Sequence, residues 1–356
     1  MAKLYFRYGL GKSAQLCQVA YNYLNQRNMN IAIINAKDNE TIRSRIVVDG
    51  KQVLVREPNV IVPNLSLSGD TLYSKIYYEY ESSYDNMSCV LVDNCEYLTV
   101  EQAEDLFYFS KLMDIPVIAY GNRLMPDGTT SLGVCRLMAL ADDIEKIDMS
   151  MSSKRATLDF NYGAMNCSKT AQLLTKNQAL LDDGFKTCII KPKLDRDELY
   201  IASRIGLRKK ANIVLDTFDN IYGQAEYLLR DRVNQILVDE AQFLTISQIN
   251  QLRRIVNDYD IPIICYGLKG DFLSNLFPGS QRLLELSDNI NRLKTVCSCG
   301  RGADFNVRKD KYGNYVTQGE QVCIDDGDNY DSECALCFME HVMGIDMKVK
   351  SRVRKK

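Results

Sequence analysis

The hydrophobic positions of the chain form short apolar runs that alternate with longer amphipathic stretches. Runs such as "CVLVD" (residues 89–93) and "QILVDE" (residues 235–240) are continuous and rich in β-branched residues. They predict strands that are buried on both faces, as in a parallel sheet. Amphipathic stretches such as "TFDNIYGQAEYLLRDRV" (residues 217–233) predict helices between them. Strands and helices that alternate at this spacing predict an α/β fold with parallel sheets.

One pattern of this kind occurs twice. "VLVDNCEYLT" from Val90 matches "ILVDEAQFLT" from Ile236, and "DIPVIAYG" from Asp114 matches "DIPIICYG" from Asp260, both at a spacing of 146 positions. A constant spacing over these segments predicts two tandem copies of one α/β unit. The polar, Ser-rich stretch 148–159 contains the predicted boundary. The predicted domains are an α/β domain at 1–152, a second at 153–293, a small lobe at 294–346 and a basic tail at 347–356.

Each copy starts with a predicted strand, a glycine-containing turn and a Lys-Ser or Lys-Thr pair that opens a helix. Such a turn binds phosphate, because its N–H groups and the helix N-terminus attract anions while the hydroxyl reaches Mg²⁺. In the second copy, "YGAMNCSKT" departs from the phosphate-loop pattern only where a serine replaces glycine. The first copy, "RYGLGKS", is about three residues shorter. The predicted phosphate-binding residues are Gly163, Ala164, Met165, Asn166, Cys167, Ser168, Lys169 and Thr170.

Two carboxylates follow the apolar strand of the second copy. Asp239 is predicted at the carboxyl edge of the sheet, where it can hold the Mg²⁺ shell, and Glu240 can take a proton from a hydroxyl acceptor. The first copy has Asn94 in place of Glu240, and an amide cannot accept that proton. We therefore interpret the first copy as a degenerate unit kept for its fold, although its Lys12 and Ser13 could still hold a regulatory nucleotide.

The second copy resembles the type II, or cellular-type, thymidine kinases over nearly all of residues 158–345. The resemblance rests on "YGAMNCSKT", "KPKLDRDELYIASRIG", "LVDEAQFLT", "DIPIICYGLKGDF", "LFPGSQRLLELSDNI", "LKTVCSCGRGA" and "YDSECALC". It implies a P-loop kinase that transfers the γ-phosphate of ATP, with Mg²⁺, to the 5′-hydroxyl of thymidine in deoxynucleoside salvage. It also implies Glu240 as general base, and Arg204 and Arg308 as groups that steady phosphate charge. The implied nucleoside pocket contains Met165, Phe243, Leu268, Phe272, Phe277 and Tyr330.

A cysteine cluster follows the second copy. Cys297 and Cys299 form one close pair, and Cys334 and Cys337 form another after 34 intervening residues. Two such pairs can close a tetrahedral Zn²⁺ site of the structural kind. The resemblance supports zinc, because the thymidine-binding lasso of this family is anchored by it. Reduced thiols without a metal remain the alternative, and Cys323 and His341 are spare candidate ligands.

Composition and charge narrow the class further. The chain of 356 residues is 46% hydrophobic and 25% charged with a formal net charge of −2, which is typical of a globular protein and gives no global case for nucleic-acid binding. The tail "KVKSRVRKK" is read as a solvated terminus. No apolar run reaches the length of a membrane-spanning helix, and the N-terminus lacks a signal peptide, so we expect a cytoplasmic protein. The resemblance also implies a homo-oligomer.

A second interpretation stays open at this stage. The chain could be a catalytically weak or inactive homologue that binds nucleotides in a regulatory or structural role. Three departures from the family pattern favour it: Ser168 in the phosphate loop, Asp197 where the family has an arginine, and Asp325-Asp326 where it has two glycines. Glu240 favours the enzyme. A copy without activity is expected to lose this carboxylate, as the first copy has, and the second copy keeps it.

Overall fold

The chain divides into two compact units. The structure is a computed structural model that describes residues 2–9, 12–23, 30–37, 42–48, 51–56, 60–61, 71–82, 87–147, 155–193, 199–321 and 329–345. The first unit is Met1–Ser152 and the second is Ser153–Lys356. Four features singled out in the sequence lie outside the described residues: residues 195–197, Cys323, residues 325–326 and the basic tail 347–356.

In the first unit, β1, β2, β5, β6, β7 and β8 form a sheet of six described strands in the order β5-β2-β6-β7-β1-β8. Every neighbouring pair in it is parallel, and β3 and β4 form a separate antiparallel hairpin. A short 3-10 helix, Cys95–Tyr97, follows β6. The elements are β1 (Leu4–Gly9), α1 (Lys12–Tyr21), β2 (Asn30–Asn35), β3 (Ile42–Val48), β4 (Lys51–Arg56), β5 (Val60–Ile61), α2 (Leu72–Ser82), β6 (Met87–Asp93), α3 (Val100–Met113), β7 (Val117–Tyr120), α4 (Leu132–Leu140) and β8 (Asp143–Ile147).

The second unit contains another parallel sheet of six described strands, in the order β13-β10-β14-β15-β9-β16. Short 3-10 helices lie at Tyr222–Gln224 and Ala241–Phe243. The elements of the unit are β9 (Leu158–Tyr162), α5 (Lys169–Asp182), β10 (Thr187–Pro192), β11 (Tyr200–Ala202), β12 (Arg208–Lys210), β13 (Ile213–Leu215), α6 (Ala225–Arg230), β14 (Gln235–Val238), α7 (Ile246–Tyr259), β15 (Ile263–Gly267), α8 (Pro278–Leu286), β16 (Asn289–Arg292), β17 (Thr295–Val296), β18 (Gly302–Ala303), β19 (Phe305–Lys309), β20 (Asn329–Glu333) and α9 (Ala335–His341).

These two sheets confirm the predicted α/β class with parallel strands. Their strand orders correspond position by position. The places of β5, β2, β6, β7, β1 and β8 in the first sheet are those of β13, β10, β14, β15, β9 and β16 in the second. Helices α3 and α7 also start alike, because Thr99 and Thr245 each form a reciprocal capping box with the glutamine three residues later. Descent of both units from one duplicated unit remains our interpretation of this correspondence.

The strand pairing of the second sheet brings three loops together. Strand β15 lies between β14 and β9, with Val238 opposite Cys265 and Gly267 opposite Tyr162. The loops that leave β9, β14 and β15 therefore emerge side by side at the carboxyl edge of the sheet, where parallel α/β proteins bind their ligands. Among the described residues, no helix is both long and apolar enough to span a membrane.

Candidate active site

The loop between β9 and α5 has the form of a phosphate cradle. The Nζ atom of Lys169 donates to the carbonyl oxygens of Gly163 at 3.3 Å and Ala164 at 3.0 Å. A Cβ atom on Gly163 would lie 2.5 Å from the Cys167 sulfur and 2.9 Å from the Leu293 carbonyl oxygen, so this position requires glycine. The ammonium group of Lys169 is thereby held against the loop that would surround a phosphate.

Ser168 adopts the backbone conformation that favours glycine. Its φ and ψ angles are 62° and 30°, in the left-handed region, and its side chain makes no capping hydrogen bond to the helix. The serine therefore preserves a glycine-like turn at the cost of backbone strain. The sequence therefore departs from the phosphate-loop pattern at this position, but the backbone still makes a left-handed turn.

Asp239 contacts the first turn of α5. Its carboxylate is only 4% exposed and accepts a hydrogen bond from the Thr170 hydroxyl at 3.1 Å. Burial, together with the negative charge of neighbouring Glu240, raises the pKa of Asp239 to about 7, although the Thr170 hydroxyl and Lys169 act in the opposite direction. A buried carboxylate beside a second carboxylate and a hydroxyl is an oxygen-donor set that suits a divalent cation such as Mg²⁺.

Glu240 is oriented by a glutamine that the sequence analysis missed. The backbone of Glu240 is left-handed, with φ 49°, and one oxygen of its carboxylate accepts a hydrogen bond from Nε2 of Gln242 at 2.6 Å. The other end of the Gln242 side chain, Oε1, accepts from the Leu268 N–H at 3.0 Å. A Cβ atom on Gly267 would lie 2.7 Å from this oxygen, so Gly267 leaves room for the amide. Only the tertiary structure reveals this role, because Gln242 has no sequence signal beyond its place in "VDEAQF".

The proposed nucleoside-pocket residues fall into connected groups. The rings of Phe243 and Phe277 pack edge to face with centroids 5.7 Å apart. Phe272 is 1% exposed and its ring lies under the Arg308 guanidinium, 5.4 Å from the centroid. Tyr330 pairs directly with Arg308 across β20 and β19. Leu268, the residue after β15, is buried, and its N–H donates to Gln242.

Met165 joins this region through a second residue that the sequence analysis missed. Its backbone N–H donates to Oδ1 of Asn306 at 2.7 Å, and Nδ2 of Asn306 donates to the Gly270 carbonyl at 2.6 Å. Asn306 is a polar residue between two apolar ones in β19, a pattern that sequence alone cannot tell from a solvent-facing position.

The two arginines predicted to steady phosphate charge have different surroundings. Arg204 is exposed in the turn between β11 and β12, and its guanidinium donates to Oδ1 of Asn166 in the phosphate loop. Arg308 is in β19, over Phe272. The structure thus brings Arg204 to the phosphate loop and Arg308 to the aromatic wall.

The four predicted cysteines come together. The sulfur atoms of Cys297, Cys299, Cys334 and Cys337 all lie within 4.8 Å of one another, and those of Cys299 and Cys334 are 3.6 Å apart. A tetrahedral Zn²⁺ site with Zn–S bonds of about 2.3 Å has sulfur–sulfur edges of roughly 3.8 Å, so this group fits zinc. The first pair is shaped by a tight turn, in which the Gly300 N–H donates to the Cys297 carbonyl at 2.8 Å.

The corresponding region of the first unit has different chemistry. Lys12 donates to the Gly9 carbonyl at 3.0 Å and to Oδ1 of Asn122 at 2.8 Å. The side-chain amide and the N–H of Asn122 donate to the buried Glu96 carboxylate at 2.7 and 3.1 Å. Asn94, the counterpart of Glu240, donates its amide to Asn35 at 3.0 Å. The lysine of this unit is thus connected to an internal carboxylate through one asparagine.

A loop whose lysine opens a helix, a buried aspartate and an adjacent glutamate at the carboxyl edge of a parallel sheet are the arrangement that characterises α/β proteins of the P-loop type. The thymidine kinase family model matches residues 3–152 and again residues 156–338. The chain therefore belongs to the thymidine kinase family.

Individual relatives give the same result. The thymidine kinase of Legionella pneumophila (strain Lens) is 42% identical over 187 residues, which cover 51% of this chain and 89% of the relative. That of Enterobacteria phage T4 is 41% identical over 175 residues, covering 48% and 90%. That of Rhodopirellula baltica is 38% identical over 190 residues, covering 52% and 90%. Each relative therefore corresponds to about half of this chain.

Proposed function

We propose that this chain is an ATP-dependent thymidine kinase whose reaction takes place in the second unit. The observation that carries the proposal is the position of Glu240. It follows Asp239 at the end of β14, beside the loop that contains Lys169, and its carboxylate is oriented by Gln242. The family membership supports a phosphotransferase, and the thymidine kinases among its relatives suggest the nucleoside.

In this proposal each residue has a separate task. Glu240 accepts the proton of the 5′-hydroxyl, which makes that oxygen the nucleophile. Lys169 and the N–H groups of the loop hold the phosphates and balance their charge. Met165, Leu268, Phe272 and the Phe243–Phe277 pair surround the nucleoside and exclude water.

Asp239 and Thr170 are the residues that would hold Mg²⁺. The raised pKa of Asp239 supports this assignment, because a buried carboxylate beside Glu240 is stabilised by a nearby cation. Mg²⁺ bound to ATP supplies positive charge that offsets the charge of the phosphates. The four cysteines would hold a structural Zn²⁺, which stabilises the lobe that contains β19 and β20.

The first unit is proposed to contribute fold and association without catalysis. Asn94 cannot act as a base, and Lys12 is connected through Asn122 to the Glu96 carboxylate. We also propose that the chain self-associates, as the resemblance implies. Light scattering of the full chain at micromolar concentration tests this, and a single-chain mass throughout would contradict it.

The proposed reaction is tested with radiolabelled ATP against thymidine, deoxyuridine, deoxycytidine and deoxyguanosine. Glu240→Gln keeps the shape of the side chain and removes the base, so kcat for thymidine should fall by roughly 10²–10⁴. Asn94→Glu should leave turnover unchanged in the wild-type background and should restore none in Glu240→Gln. Phosphorylation of no nucleoside by the wild-type chain would favour the regulatory homologue instead.

A further inference from the structure

Strand β19 has two faces with different partners. Phe305 and Val307 are buried, and the Phe305 ring stacks on Phe338 of α9 with centroids 4.7 Å apart. Helix α9 starts directly after Cys334, so this face belongs to the lobe that the cysteines organise. Successive side chains of a strand point to opposite faces. Asn306 and Arg308 accordingly reach the other way, to the phosphate loop and to Phe272.

Asn306 uses both ends of its amide. Its Oδ1 accepts from the Met165 N–H at 2.7 Å, and its Nδ2 donates to the Gly270 carbonyl at 2.6 Å. These two backbone groups are distant in sequence from Asn306, by 141 and 36 residues. The side chain is 5% exposed, so water has little access to replace either hydrogen bond.

The two backbone groups lie in different walls of the proposed nucleoside pocket. Met165 is in the phosphate loop and is itself a predicted pocket residue. Gly270 lies between Leu268 and Phe272, two other predicted pocket residues, in the loop that follows β15. A single side chain therefore connects the two walls, because an amide accepts from one group through its oxygen while it donates to the other through its nitrogen.

We propose that Asn306 is a positioning residue that sets the distance between these two walls and connects them to the cysteine lobe. Its effect on kinetics rests on the function proposed above; its effect on the two loops does not. Removal of the amide leaves one N–H and one carbonyl of the pocket walls without their partner. Both loops then open more often, and the nucleoside loses a preorganised pocket.

The variants separate the two hydrogen bonds from side-chain volume. Asn306→Ala removes both bonds, and Asn306→Leu removes both while it keeps a side chain of similar size. Asn306→Asp keeps an acceptor for the Met165 N–H but places a carboxylate against the Gly270 carbonyl. Asn314→Ala is the matched control in the same lobe, because Asn314 is exposed and its side chain donates to a near neighbour in sequence, Asp310, at 3.0 Å.

The first measurement is hydrogen–deuterium exchange of the full chain without substrates. Asn306→Ala and Asn306→Leu should speed exchange in peptides that cover residues 162–170 and 268–277 by roughly tenfold, as expected for the loss of a buried hydrogen bond. Asn306→Asp should speed exchange mainly in residues 268–277, and Asn314→Ala in neither segment. Unchanged exchange in both segments of Asn306→Ala would overturn the proposal, whether or not the wild-type chain proves to be a kinase.

The second measurement is steady-state kinetics with thymidine and ATP. Asn306→Ala should lower kcat/KM for thymidine by about 10- to 100-fold, and it should raise KM for ATP by a smaller factor, because only one of the two loops that it loosens also holds the phosphates. The zinc content should stay equal to that of the wild type. An equal loss for both substrates together with loss of zinc would show a merely structural role and would overturn the positioning role.

Discussion

Ser168→Gly is a sharp test of the strained phosphate loop. Ser168 has a left-handed backbone, is exposed and makes no capping hydrogen bond. The substitution therefore removes strain without the loss of a capping hydrogen bond. We expect it to stabilise the second unit and to leave thymidine phosphorylation at or above the wild-type rate.

The magnitude follows from two opposing contributions. A left-handed conformation costs an L-amino acid roughly 1–2 kcal/mol. Glycine loses more conformational entropy on folding, which costs about 0.5–1 kcal/mol. The net gain should be about 0.5–1 kcal/mol, or an increase of roughly 1–4 °C in the Tm of a unit of this size. Ser168→Ala keeps Cβ and removes only the hydroxyl, so it should change the Tm by less than about 1 °C.

Differential scanning calorimetry of the full chain measures the effect, with the transition of the second unit identified from its shift on addition of ATP. A Tm for Ser168→Gly at or below that of the wild type would refute the strain argument. A large loss in Ser168→Ala would show instead that the hydroxyl makes a stabilising interaction.

Three further predictions concern separate parts of the chain. Protein purified without chelators should contain about one Zn²⁺ per chain by elemental analysis, and Cys337→Ser should lower this value; zinc-free wild-type protein would exclude the structural zinc. Lys169→Ala should abolish most turnover because the phosphates lose a fixed counter-charge, whereas Lys12→Ala should change it only a few-fold; loss of turnover in folded Lys12→Ala would make the first unit essential. Lys111→Met should cost about 3 kcal/mol in urea unfolding, because it leaves the buried carboxylate of Asp142 without its counter-charge. Arg253→Met, at the partly exposed pair with Asp288, should cost about 1 kcal/mol, and equal costs would contradict this reasoning.

Much of the fold follows from local patterns in the sequence. The β-branched runs that end at Asp93 and Asp239 become buried parallel strands, as their continuous hydrophobicity predicts. Strands of this kind need helices on both faces, which is why the alternation of elements predicts the α/β class. The cysteine cluster is also accessible from sequence, because the spacing within each pair restricts where the thiolates can lie.

Other features depend on contacts between residues that are far apart in the chain. Asn306 and Gln242 give no local signal, since an amide in a strand or after a strand is equally compatible with solvent. Their roles arise only when the fold brings the Met165 N–H and the Gly270 carbonyl to Asn306, and Glu240 and the Leu268 N–H to Gln242. The same holds for Lys111, a charged residue of α3 that the structure buries against Asp142.

The order of residues is enough to identify which of them can carry charge, protons and metal, and in which strands and turns they occur. Periodicity and motif spacing are local properties, so they are readable without coordinates. The tertiary structure alone decided which of these groups share a hydrogen bond and how deeply each is buried. Burial and neighbouring charge, in turn, give Asp239 its raised pKa, because the cost of a charge depends on everything that surrounds it.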